Sequence, residues 1–266
     1  MSGVGDAPIG VFDSGVGGLS VLRAIRDELP HEEILYVADS AHVPYGEKSA
    51  AFVQARAYAI VQFLLGRGAK AIVIACNTAT GAAVGFLRER FAVPIVGMEP
   101  AIKPALQQTR SRVVGVLATA GTVKSDKFTD LLARFGEGAQ VLVQPCAGFV
   151  ETVERGEVSG AAATGLVERA IAPLLERGAD TLVLGCTHYP FLRPLIEKIA
   201  GPSVTILDPS PAVARELRRR LAENGLLCDR VSEGEEHFWS SGSPDLVQPL
   251  VARYWNAQAT VQPLPD

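Results

Sequence analysis

The sequence predicts an α/β protein of two similar domains with largely parallel sheets, its functional site in the cleft between them. Three observations carry this reading. Short apolar runs alternate with stretches of helical periodicity, the pattern of strands joined by crossover helices. At 266 residues, 48% of them hydrophobic, the chain is long enough for two medium domains with cores of their own. Finally, two apolar runs end alike. Ala71-Ile72-Val73-Ile74-Ala75 runs into Cys76-Asn77-Thr78, and Thr181-Leu182-Val183-Leu184-Gly185 runs into Cys186-Thr187-His188. Each follows a Gly-Ala pair, Gly68-Ala69 or Gly178-Ala179.

In chain order, residues 9–12 form a short strand that ends in Asp13-Ser14-Gly15-Val16-Gly17-Gly18. Leu19, Leu22, Ile25 and Leu29 then recur at helical spacing until Pro30 stops the helix. Strand, glycine turn and helix make an anion site in principle, because helix N-terminal amides point outward. A dinucleotide fingerprint fails at Ser20, where a third glycine would stand, and no Gly-Lys-Ser/Thr follows for a phosphate loop. A carboxylate fits this small turn better. Residues 34–38 are a second strand, followed by Asp39-Ser40 and a loop in which Pro44 and Gly46 fix a turn around Tyr45. A helix over about 48–65 leads to the Cys76 strand and a helix to Arg90.

Residues 94–97 read as a strand, and Glu99-Pro100 as the start of a helix, with proline favoured in its first turn. The strand over 113–117 ends in Ala118-Thr119-Ala120-Gly121-Thr122, and Ser125 caps a helix holding Phe128, Leu131 and Leu132. A strand over 140–144 precedes Cys146. Residues 149–154 are a short helical piece, and 159–176 a longer helix. After the Cys186 strand come a helix through Leu195, a strand over 204–207, a helix over 212–223, a helix near 245–255 and a polar tail. The chain is expected to cross between domains near Met98-Glu99-Pro100 and to return near Asp208-Pro209. That makes residues 1–98 plus 208–266 one domain, with the Cys76 half-site, and 99–207 the other, with the Cys186 half-site.

Composition narrows the function. The formal net charge of −4 argues against nucleic acid or an anionic membrane as the main partner. The longest uncharged stretch, between Lys70 and Arg88, carries Asn77, Thr78 and Thr80 and is short for a membrane span. No basic segment followed by an apolar stretch opens the chain, so the expectation is a soluble cytoplasmic protein. The cysteines Cys76, Cys146, Cys186 and Cys228 form no C-x-x-C, and His31, His42, His188 and His237 complete no zinc pattern. Reduced thiols and no metal are therefore expected. Cys146 and Cys228 are read as packing residues, since free cysteine is among the most buried residue types.

Two thiols facing one ligand could form a redox pair, bind metal, act as nucleophile and bystander, or serve as two proton-transfer bases. The first two lack their spacing, and a single nucleophile leaves one strand end unexplained. Two bases on opposite faces of a carbon use both: one thiolate takes a proton, the opposite thiol returns one, and the stereocentre inverts. His188, two residues after Cys186, is placed to hold or relay a proton. No Schiff-base lysine context is evident, so neutral donors would have to stabilise the carbanion.

Asp13-Ser14-Gly15-x-Gly17-Gly18, Pro44-Tyr45-Gly46, Ala75-Cys76-Asn77-Thr78 and Gly185-Cys186-Thr187-His188-Tyr189-Pro190 together resemble the glutamate racemases of the cofactor-independent aspartate/glutamate racemase superfamily. The resemblance runs in order from about Ile9 to Leu207. It implies interconversion of L- and D-glutamate without pyridoxal phosphate or other cofactor, supply of D-glutamate for peptidoglycan, a site between two α/β domains, and a homodimer. By position it makes Cys76 the base toward D-glutamate and Cys186 the base toward L-glutamate, with Asp13 assisting the first and His188 the second. It assigns Asp13, Ser14, Tyr45, Gly46, Asn77, Thr78, Thr119, Thr122, Thr187 and His188 to the substrate. Phe149-Val150-x-x-Val153-Glu154 resembles the segment whose glutamate assists catalysis; the family often has Pro where Glu151 stands, so Glu151 is the alternative to Glu154. DNA gyrase inhibition, a property of some members, is not readable from this acidic sequence. Against these expectations stand a racemase of aspartate or a related acid, and an amino-acid-binding protein without catalysis.

Overall fold

The structure, a computed structural model, describes residues 4–135 and 138–265. Two parallel sheets form it. The first takes β1 (Ile9–Asp13), β2 (Ile34–Ala38), β3 (Ala71–Ile74), β4 (Ile95–Gly97), β9 (Glu236–Ser240) and β10 (Val261–Pro263), in the order β10-β9-β2-β1-β3-β4. The second takes β5 (Val113–Ala118), β6 (Gln140–Pro145), β7 (Thr181–Gly185) and β8 (Thr205–Leu207), in the order β6-β5-β7-β8. Parallel pairing requires long crossovers, and helices supply most of them: α1 (Leu19–Glu28), α2 (Ala50–Gly66) and α3 (Asn77–Arg88) in the first unit, then α4 (Ile102–Gln108), α5 (Ala120–Val123), α6 (Asp126–Phe135), α7 (Phe149–Glu154), α8 (Gly160–Glu176) and α9 (Arg193–Ala200) in the second. The chain returns through α10 (Ser210–Glu223) and α11 (Pro244–Tyr254).

The strand orders place the site. In each sheet the chain steps to one side of its first strand and then to the other, so the order reverses between β1 and β3 and between β5 and β7. Ligands of open α/β sheets bind beyond the carboxyl ends at such a reversal. Register pairs Phe12 with Ile74 and Ala118 with Gly185. Asp13 is thus level with the residue before Cys76, and Thr119 is level with Cys186.

The strands are buried along their length because helices cover both faces of parallel sheets. Leu19, Val21, Leu22 and Ile25 form the buried side of α1, as their spacing requires. One continuous apolar cluster joins Leu19, Leu22 and Val73 of the first unit to Leu117, Leu184 and Tyr189 of the second. Each fully buried Leu contributes about 1.5–3 kcal/mol, so this shared core holds the two carboxyl edges together.

Some elements differ from the sequence expectation. The helix expected from about residue 48 starts at Ala50, because Ser49 accepts the Phe52 amide at 3.2 Å and caps it. The helix expected at Glu99-Pro100 starts at Ile102. Ser125 does act as a cap, taking the Phe128 amide at 3.2 Å, but a separate short helix, Ala120–Val123, precedes it. Strands β9 and β10 escaped the sequence reading. Glu236-His237-Phe238-Trp239-Ser240 begins polar, and β10 has three residues ending in Pro263, tolerable because β10 is the sheet edge.

Candidate active site

The first half-site grows from the β1 and β3 ends. Cys76 has extended backbone angles and is the N-cap of α3, its Sγ accepting the Ala79 amide at 3.4 Å. The thiol lies 3.9 Å from Ser14 Oγ. Asp13 Oδ2 accepts the amides of Gly15 at 3.2 Å and Gly18 at 2.9 Å. The glycine turn expected to take a ligand carboxylate therefore spends amides on the chain's own side chain. Burial pushes the Cys76 thiol well above the ordinary range, the Asp13 charge pushes it further, and the Ala79 amide partly offsets both. The Asp13 carboxyl is also raised: burial dominates, with His188 lowering it, Glu154 raising it and the two glycine amides lowering it.

The second half-site follows β7. Cys186 Sγ lies 3.6 Å from His188 Nδ1. On the other side of the ring, His188 Nε2 donates to Glu154 Oε1 at 2.7 Å, and the same oxygen accepts the Val16 amide at 2.8 Å. Thr187 donates its hydroxyl to Asp13 Oδ1 at 3.4 Å and sits 3.4 Å from His188 Nδ1, so the half-sites touch. Burial opposes a charge on His188, but its hydrogen bonds to Cys186 and Glu154 prevail and raise it well above the usual histidine value. Glu154, then, reaches the histidine. Glu151 Oε2 is buried and finds no hydrogen-bond partner among the described residues.

A hydroxyl cluster spans the two units nearby. Thr78, in the first turn of α3, is 2.9 Å from Thr119 and 3.3 Å from Thr122, while Thr119 donates to Thr122 at 3.0 Å. Gly46 packs against Gly121 so closely that a Cβ on Gly121 would stand 2.8 Å from Gly46 Cα. Asn77 is 5% exposed, yet neither amide atom of its side chain finds a partner among the described residues. An unpaired buried polar group costs about 1–3 kcal/mol, and this amide has both a donor and an acceptor without a partner among the described residues. A cavity of about 500 Å³ opens beside the cluster, bordered by Gly46, Lys48, Gln54, Thr78, Gly121 and Ser125.

Tyr45 stands apart from the other expected residues. It is buried and its hydroxyl donates to Asp39 Oδ2 at 2.5 Å. Only the loop backbone is then left to serve the cleft. Sequence reasoning passed over three contributors: the Val16 amide on Glu154, Asp39 beneath the Tyr45 loop, and Ser20, which donates to both Gly17 O at 2.9 Å and Thr187 O at 2.8 Å. Ser20 was legible as the residue that spoils the dinucleotide fingerprint, but its partner was not. Cys146 is buried, with its thiol raised to about 12 first by burial, and Cys228 is half-buried. Among the described residues, no group of three or more His, Cys, Asp or Glu side chains is placed to hold a metal ion.

A sequence profile described as Asp/Glu/Hydantoin racemase matches residues 9–217. A protein of Methylococcus capsulatus named glutamate racemase is 58% identical over 258 residues, covering 97% of this chain and 95% of that one. Among solved structures, glutamate racemase isoform RacE1 of Bacillus anthracis superposes with a TM-score of 0.89 at 35% identity, covering 97% of both chains. The Escherichia coli glutamate racemase, solved with L-glutamate and the activator UDP-MurNAc-ala, superposes with a TM-score of 0.85 at 34% identity, covering 97% of this chain and 98% of that one.

Proposed function

The chain belongs to the Asp/Glu/hydantoin racemase family and is an isomerase of the glutamate racemase kind, and we propose that it interconverts L- and D-glutamate by passing protons between Cys76 and Cys186. One observation carries the mechanism. Two buried thiols follow the strands at the two sheet reversals, Cys76 beyond β3 and Cys186 beyond β7, and their half-sites meet through the Thr187 hydroxyl, which donates to Asp13 Oδ1 at 3.4 Å. Cys76 takes the α-proton of D-glutamate and Cys186 that of L-glutamate, and the opposite thiol reprotonates the carbanion on its other face.

The neighbours divide the labour. Asp13 assists Cys76, and the Glu154–His188 pair manages the proton of Cys186. Asn77, Thr78 and Thr187, with Ser14, Thr119, Thr122 and the backbone at Tyr45 and Gly46, hold the carboxylates and the ammonium. Neutral donors aimed at the α-carboxylate stabilise the charge that develops when Cα loses its proton. The reaction needs neither metal nor pyridoxal phosphate on this reading. Residues 1–98 with 208–266, and 99–207, act as the two domains that close on the substrate. The product D-glutamate serves peptidoglycan synthesis in the cytoplasm, and the working form is a homodimer. No helix among the described residues is long and apolar enough to cross a membrane.

The test is circular dichroism of purified protein with each enantiomer of glutamate and of aspartate, in chelator-treated buffer without added cofactor. Glutamate loses its ellipticity from either side, and aspartate is much slower. Equal or faster turnover of aspartate would overturn the substrate assignment. Activity lost on chelation and restored by one metal would overturn the metal-free mechanism.

A further inference from the structure

The glycine turn after β1 belongs to the first unit, but two of its glycines face the acid–base group of the second. A Cβ built on Gly17 would stand 2.3 Å from His188 Nδ1, 2.5 Å from Cε1 and 2.6 Å from Cγ. A Cβ on Gly15 would stand 2.0 Å from Glu154 Oε1. Neither glycine has a positive φ, so the backbone itself would accept alanine at both. What excludes a side chain is the group seated against them from across the cleft.

The two contacts are not equivalent. Glu154 meets Gly15 with the far end of a flexible chain, which can swing aside. His188 meets Gly17 with three atoms of its ring and is 1% exposed. That ring is already held by Cys186 at 3.6 Å, Thr187 at 3.4 Å and Glu154 at 2.7 Å. It cannot retreat from Gly17 without changing at least one of these distances. Two further bonds tie the same surfaces together, Val16 N to Glu154 Oε1 at 2.8 Å and Ser20 Oγ to Thr187 O at 2.8 Å. The backbone amides of Gly15, Val16 and Gly18 are spent on Asp13 and Glu154 rather than left for a ligand.

We infer that Gly17 is a positioning residue for the Cys186 half-site: it is the seat, supplied by the opposite unit, that sets the His188 imidazole at its distance from the Cys186 thiol. Gly15 seats Glu154 behind it. The second half-site is therefore assembled only when the two units close on each other. The inference rests on the reading that His188 serves Cys186.

The test is a double-mutant cycle of Gly17→Ala with His188→Asn, read by kinetics and by NMR of histidine-labelled protein. A displacement on the order of 1 Å at a proton-transfer group costs about a hundredfold in rate, and that is the loss in kcat/KM expected for Gly17→Ala alone. In the His188→Asn background, where the ring is gone, Gly17→Ala should cost less than about threefold more, the non-additivity of residues acting as a unit. The His188 resonance, assigned by its absence in His188→Asn, should titrate at a lower pH in Gly17→Ala than in the wild type. Losses that multiply in the double variant, or a His188 titration unmoved by Gly17→Ala, would overturn the seat. If Gly17→Ala fails to fold, Gly17→Ala with His188→Ala decides: recovered folding supports the seat, and continued failure rejects it. If the wild type turns over neither enantiomer of glutamate, the functional reading fails, while the His188 titration still answers for the seat.

Discussion

Tyr45 donates its hydroxyl to Asp39 Oδ2 at 2.5 Å, and Arg56 grips the same carboxylate through Nε at 3.1 Å and Nη2 at 2.8 Å. His42 Nδ1 completes the group at 3.0 Å from Oδ1. Burial works against a charge on Asp39, but the bonds from Arg56, Tyr45, Ser241 and His42 prevail and hold it below the usual carboxylate range. The loop that lays Gly46 against Thr119 is thus anchored on a buried anion. Asp39→Asn should loosen that loop and raise KM for glutamate with a smaller loss of kcat. Tyr45→Phe, which removes one bond to a charged group, should cost about 1.5–3 kcal/mol of stability and leave kcat within a few-fold. Steady-state kinetics and thermal melts check both, and a fall in kcat at unchanged KM in Asp39→Asn would contradict the anchoring role.

The proposed two-thiol mechanism makes an isotopic prediction. In D2O, L-glutamate should give D-glutamate deuterated at Cα, while unreacted L-glutamate stays largely protiated early on. On the proposed two-base mechanism, a thiolate takes the proton from one face, and a different thiol, already exchanged with solvent, delivers deuterium to the other. Cys76→Ser and Cys186→Ser should each fold and lose racemisation severely, because a hydroxyl is a poor match to this acid–base task. Mass spectrometry of the recovered substrate decides. Label entering L-glutamate as fast as product forms would reject the two-base scheme.

Asp13 and His188 should act on opposite directions. At equilibrium the enantiomers are equally stable, so any variant lowers kcat/KM equally both ways, and direction is read in kcat at saturation. Asp13→Asn should lower kcat more from D-glutamate and His188→Asn more from L-glutamate. Each loss falls within the about 10²–10⁴-fold expected of proton-transfer assistance. Equal losses of kcat in both directions, in both variants, would remove the support for one helper per thiol.

Stability should depend on pH through Asp180, which immediately precedes β7. Burial opposes its charge, but Thr109 Oγ1 at 2.6 Å, the Ser111 and Arg110 amides at 2.8 Å each, and Thr181 Oγ1 at 3.0 Å hold it below the usual carboxylate range. A carboxylate depressed in the folded state stabilises above its unfolded pKa, about 3.9, and that contribution is lost as pH falls through the lower folded value. Asp180→Asn should therefore melt lower than wild type at neutral pH, with a gap that narrows in acid. Thermal melts from about pH 7 to about pH 2.5 test this; a gap of constant width would show that the charge of Asp180 plays no part.

Local pattern carried a large share of the fold. The alternation of apolar runs with helical spacing placed eight of the ten strands among the described residues, because a strand buried on both faces must be apolar along its length. The matching ends at Cys76 and Cys186 pointed to paired half-sites for a similar reason: a thiol, a hydroxyl and an imidazole after an apolar strand have only the carboxyl edge to occupy. Strands β9 and β10 were hidden for different reasons: β9 lies inside the sheet but opens with the polar, half-buried Glu236 and His237, and β10 is a three-residue edge strand, so neither alternation nor a continuous apolar run marks them.

Sequence alone therefore determined the fold class, the two strand ends that bear thiols and most of the polar residues around them. Tertiary structure decided which groups meet. That Glu154 rather than Glu151 reaches His188, that the Tyr45 hydroxyl is spent on Asp39, that neither amide atom of Asn77 finds a partner among the described residues, and that Gly17 makes room for a ring from the other sheet are properties of the assembled chain. Val16 and Glu154 are 138 positions apart, and Asp13 and Thr187 are 174 apart. Residue type and spacing report on neighbours within a few turns of helix or strand. Contacts over such separations exist only after the two sheets have packed on their shared apolar core and brought their carboxyl edges face to face.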